Sequence, residues 1–135
     1  MDVPITTPAL LFPAIAILML GYVNRYQSTA SLIRLIKKDY DTGYKRTNLV
    51  NQLHILTTRI ELSRYMLMIG SLALMLACLS MFLIFIEKQD LGNSVFGLSI
   101  AAMITSILIS LYETSLSNKS LMIEIDDIFK KEHHK

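Results

Sequence analysis

The sequence predicts an all-α membrane protein in which three transmembrane helices extend into a cytoplasmic three-helix bundle. Three observations carry this. The stretches 3–24, 65–86 and 91–112 contain no Asp, Glu, Lys or Arg over 22 residues each. A helix of that length spans roughly 33 Å, against about 30 Å for a bilayer core. Hydrophobic residues make up 53% of the chain and charged residues 18%, below the charged share of about one quarter in soluble domains. The 135 residues, read as the single domain 1–135, also leave too little chain outside these stretches to bury them as a soluble core. Lipid offers the backbone no hydrogen bonds, so the stretches must be helices.

Basic residues set the orientation. Segment 25–64 holds Arg25, Arg34, Lys37, Lys38, Lys45, Arg46, Arg59 and Arg64, and the tail holds Lys119, Lys130, Lys131 and Lys135. The turn between the second and third spans has only Lys88, and the start has Asp2 and no basic side chain. Positive charge favours the cytoplasmic side. The N-terminus is therefore expected outside and the C-terminus inside. An acidic start with the first basic residue after the apolar stretch is the reverse of a cleaved signal's charge order.

In the first span, Thr7 is the expected helix cap and Pro8 the first helical residue. A helix from Pro8 through Val23 is only about 24 Å long, so residues 3–7 complete the crossing in a non-helical form. Such backbone must pack on protein. Pro13 lacks an N–H, which predicts a kink. Beyond this span, segment 25–64 reads as a cytoplasmic helical hairpin. Arg25, Thr29, Leu32, Ile36 and Asp39 share a face, and Tyr40-Asp41-Thr42-Gly43 is a turn signature. Leu49, Leu53, Leu56, Ile60, Ser63 and Leu67 alternate in steps of four and three, a coiled-coil-like stripe running into the second span.

The second span carries a small-residue line, Gly70, Ala73, Ala77 and Ser80, suited to close helix approach. Met66, Met68, Met75 and Met81 read as apolar filler. Cys78, the sole cysteine, reads as a small packing residue and excludes an intramolecular disulfide. A short turn over Glu87–Asn93 makes the second and third spans antiparallel neighbours. The C-terminal helix, 113–132, carries a stripe of Leu121, Ile125, Ile128 and Glu132 beside Phe129. Its Glu124, Asp126 and Asp127 complement the basic hairpin, closing the bundle.

The third span holds the main candidate site. Ser99, Ala102, Ser106, Ser110, Glu113 and Ser117 recur at steps of three and four, so they share one helix face. Small and hydroxyl residues build helix–helix interfaces. In an oligomer the same line can border a pore, with Glu113 as an acidic ring at the inner mouth and Glu87 or Asp90 as an outer ring; carboxylate rings favour cations. Arg25 and Arg64 lie at the depth of Glu113, at an inner-edge ion pair or a lipid contact.

Other chemistry is excluded by pattern. His54 stands alone and His133 and His134 sit in the tail, which does not make a metal site. There is no phosphate-binding glycine loop, zinc helix or nucleophile motif, so neither an enzyme nor a cofactor is expected. A net charge of +2 does not suggest nucleic acid.

Three segments carry a family resemblance: TTPALLFPAIAILMLGYVNRY from Thr6 to Tyr26, CLSMFLIF from Cys78 to Phe85, and FGLSIAAMITSILISLYE from Phe96 to Glu113. They resemble small bacterial three-span integral membrane proteins grouped as domain-of-unknown-function family 2721. The last segment ends Leu111-Tyr112-Glu113, where the family pattern is an aromatic–Glu pair, often with Trp. The resemblance implies a bacterial inner-membrane location and supplies no activity, substrate or site residue.

Three functions follow as expectations, with membrane lipid, further copies of the chain and a cytoplasmic protein as the partners. An oligomeric, cation-conducting channel is the most concrete, and requires Ser106, Ser110 and Glu113 on a shared axis. A membrane scaffold or adaptor recruiting a partner through its helical bundle requires that line to be buried within the protomer and an apolar patch to be exposed on the hairpin. A lipid-interacting protein uses Arg25, Arg64 and Lys119 at anionic headgroups.

Overall fold

A computed structural model describes residues 2–42 and 48–132, with three helices: α1 (Thr6–Asp41), α2 (Asn48–Phe85) and α3 (Gln89–Glu132). Their 36, 38 and 44 residues correspond to roughly 54, 57 and 66 Å. Each is long and apolar enough to cross a membrane and continues well past its charge-free stretch. Gly43, His133 and His134 lie outside the described residues, as do the side chains of Asp39, Leu49, Glu124, Asp127, Ile128, Phe129 and Glu132.

Helix α2 is the central element, packed on α1 along one side and more extensively on α3 along the other. The buried residues recur in heptads. On α1 they are Pro8, Ile15, Tyr22 and Thr29; on α2 they are Leu56, Ser63, Met66, Gly70, Ala73, Ala77 and Ser80; on α3 they are Gly92, Phe96, Ser99, Ser106 and Glu113. A mean period of 3.5 residues is the repeat of a coiled-coil seam. All four members of the small-residue line lie in this seam. Gly70 brings α2 close to its neighbours: a Cβ there would sit 3.5 Å from Ser106 Oγ and 3.6 Å from Met19 Cγ.

The first span differs from its sequence reading. α1 begins at Thr6 after Ile5, which supplies no side-chain cap, so Thr7 is already helical. Pro8 lies in the first turn, where its missing N–H costs nothing, and the chain stays helical through Pro13. The short non-helical lead is tied to α3 through the backbone of Val3, while Asp2, Pro4 and Ile5 are exposed. Asn93 Oδ1 accepts from the Val3 N–H at 3.4 Å, and Gln89 Nε2 donates to the Val3 carbonyl at 2.6 Å. Both backbone groups of Val3 are thereby satisfied, as a lipid-facing chain requires.

The turn between α2 and α3 is shorter than Glu87–Asn93, because Gln89 through Asn93 are helical. Glu87 adopts a left-handed φ of 62°. Its N–H donates to Ile84 O and that of Lys88 to Leu83 O, each at 3.0 Å. This pair of bonds is a Schellman cap.

Two other expectations change. Cys78 points outward rather than into the packing, since the seam passes through Ala77 and Ser80. Leu121, Met122 and Ile125 are exposed, so the bundle expected at this end is not closed by these side chains. The candidate outer-ring residues Glu87 and Asp90 are both exposed at the α2–α3 turn.

Candidate functional site

Four positions seven residues apart on α3 meet four positions seven apart on α2. Ser80 Oγ donates to Gly92 O at 2.8 Å. Ser99 Oγ donates to Ala73 O at 2.8 Å, and Ser106 Oγ to Met66 O at 3.1 Å. One heptad further, Arg59 Nε donates to Glu113 Oε1 at 3.2 Å. The antiparallel register is therefore held by one polar contact per heptad over most of the seam. Each helical carbonyl has a second lone pair, so accepting a hydroxyl does not break the helix. In lipid each such bond contributes on the order of 0.6 kcal/mol.

The ladder ends in a three-helix ion cluster. Glu113 is buried, with its side chain 3% exposed. Arg59 from α2, 20% exposed, binds Oε1. Arg25 from α1, 44% exposed, binds Oε2 at 3.1 Å. The same Arg25 Nη1 reaches Thr114 Oγ1 at 2.8 Å and Ser110 Oγ at 3.4 Å, while Thr114 Oγ1 donates to Ser110 O at 2.9 Å. A carboxylate this deep needs compensation, and two guanidinium groups supply it from two different helices. Beside the cluster, Asn24, Ser28, Thr29 and Ser117 complete the lining of a half-open cavity of about 280 Å³.

The sequence-derived line therefore divides. Ser99, Ser106 and Glu113 are buried within one chain; Ala102, Ser110 and Ser117 are half-buried. Arg25 joins Glu113, whereas Arg64 is exposed and makes no ion pair among the described residues. Arg59 holds the place considered for Arg64. The signal for it was present: continuing Gly70, Ala73, Ala77 and Ser80 backwards in steps of four and three gives Met66, Ser63, Arg59 and Leu56. Ser63 Oγ in this seam is buried with no hydrogen-bond partner among the described residues. Among the described residues no cluster of His, Cys, Asp and Glu is arranged to hold a metal.

Three helices long and apolar enough to cross a membrane, a polar-bonded seam and an ion cluster at the end of the charge-free stretches are the features of a helical membrane protein. Residues 5–123 match the family model described as "Protein of unknown function (DUF2721)", and the chain belongs to that family. Searches of curated proteins and of solved structures found no match.

Proposed function

We propose that the protein is a non-enzymatic membrane adaptor, anchored by its three spans and recruiting a helical protein partner through the helix ends beyond Arg25, on the cytoplasmic side. One observation carries the reading. Past the charge-free stretches, Leu32 and Leu35 of α1, Leu53 of α2, and Leu121, Met122 and Ile125 of α3 are all exposed. Leu32 lies seven residues, about 10 Å, beyond Arg25 along α1, and apolar side chains exposed on all three helices at this end are the kind of surface a partner covers. The neighbouring Arg34, Lys37 and Lys38 are exposed as well, so the surface fits an acidic amphipathic helix. A second copy's C-terminal helix, with Glu124, Asp126 and Asp127, has this chemistry, which keeps the expected homo-oligomer within the proposal.

The pore reading drew on the hydroxyls of the third span facing a shared axis. Ser99 and Ser106 instead spend their hydroxyls on α2, and Glu113 is neutralised by two arginines of its own chain. This geometry favours the adaptor.

Photocrosslinking from Leu35 and Leu121 in intact membranes tests the proposal. A discrete crosslinked protein, lost on Leu32→Ser with Leu35→Ser while the chain stays folded and inserted, is the expected result. Crosslinks confined to lipid and to positions within one copy of the chain, together with ion conductance in planar bilayers, overturn it.

A further inference from the structure

The cavity at the Arg25 end has donors to spare. Arg25 engages its neighbours through Nη1 alone and Arg59 through Nε alone. Arg25 Nε and Nη2, and both Nη atoms of Arg59, make no bond among the described residues. With Glu113 counted, the cluster retains one net positive charge. Thr29, 4% exposed, lines the cavity, and its hydroxyl makes no hydrogen bond among the described residues. Asn24, Ser28 and Ser117 add further neutral donors along the wall. Guanidinium nitrogens and hydroxyls around a partly open space match a tetrahedral oxyanion. Arg25 directly follows the charge-free stretch 3–24, and Glu113 directly follows 91–112. In a membrane-spanning chain the cavity thus lies at headgroup depth. Its roughly 280 Å³ falls just below the range of about 300–1,000 Å³ for small-molecule pockets, which suits a phosphate with a small substituent.

We propose that this cavity, between α1, α2 and α3, is a phosphate-binding site, occupied by an anionic lipid headgroup or by free phosphate. The phosphate oxygens take the free nitrogens of Arg25 and Arg59 and the Thr29 hydroxyl, while Glu113 holds both guanidinium groups in place. Glu113 also sets selectivity, because it lowers the local positive charge and leaves room for one anionic group. The site depends on the spans lying in a membrane and not on the adaptor reading, so either can fail alone.

Native mass spectrometry of the full chain, titrated with phosphatidylglycerol, with phosphatidylcholine and with inorganic phosphate, tests the site. One phosphatidylglycerol held at least about tenfold more tightly than phosphatidylcholine is expected for a headgroup ligand. Arg25→Gln and Thr29→Val should each weaken it by about tenfold, the effect of one lost charge-assisted bond. Thr29→Val breaks no hydrogen bond among the described residues and serves where Arg25→Gln disturbs the fold. Phosphatidylglycerol that resists inorganic phosphate assigns the site to a lipid headgroup. Its displacement, or binding of phosphate alone, assigns the site to the phosphate ion. Equal retention of both lipids with no phosphate binding, or binding untouched by both variants, overturns the proposal.

Discussion

Glu113 shows what a single side chain does in this molecule. It is the most deeply buried ionisable group at the ion cluster, and it joins all three helices through two arginines. The two contacts are not equivalent. Arg59 is mostly enclosed, so Arg59→Met leaves a buried carboxylate short of its inner partner; we expect a loss of about 3 kcal/mol. Arg25 is 44% exposed, so water screens its contact and Arg25→Met is expected to cost about 1 kcal/mol or less. Unfolding in mixed micelles, compared across both variants, checks the order. Equal losses would mean that burial does not govern this cluster. The pairing of Glu113 with Arg25 was legible from their common depth. The part played by Arg59 was not, because an arginine in a charged segment outside the apolar stretches reads as a solvated charge until the heptad seam is traced through it.

At the scale of the helices, the same heptad accounts for both packing and turn. Gly92 is in the seam because α3 starts against the end of α2. A Cβ at this position would lie 2.6 Å from Ile84 Cγ1 and 3.3 Å from the Ile84 backbone nitrogen. Gly92→Ala should therefore cost about 1–3 kcal/mol, as overpacking does. Gly97, five residues on, has nothing within 4 Å of its added Cβ, so Gly97→Ala should be neutral or stabilising by up to about 1 kcal/mol. Unfolding of the two variants side by side is the check. The turn makes a further prediction. Glu87 occupies a left-handed position that favours glycine, and Glu87→Gly should stabilise the chain by about 1 kcal/mol, raising its melting temperature. The sequence showed that a tight turn was needed here but not its length, since Gly92 and Asn93 resemble loop residues until their packing on α2 and on Val3 is seen.

Across the whole molecule, the three long apolar helices were legible because charge-free runs leave few alternatives. The polar face of the third span was equally legible, but periodicity alone does not say which neighbour that face meets. Packing resolves this within the chain: α2 presents small residues and backbone carbonyls at the matching heptad positions, and the hydroxyls bind there. Ser99, Ser106 and Glu113 thus lie in a seam inside one protomer. Thiol labelling tests it most directly, with Cys78→Ala as background and Ser99→Cys or Ser106→Cys introduced singly into protein in sealed vesicles. A small, membrane-impermeant thiol reagent applied from either side should leave both positions unmodified, while Thr114→Cys at the half-open cavity reacts from one side. Rapid modification at 99 and 106 from the aqueous phase would mean that the line borders water, contradicting the seam and returning the third span to a conduction path.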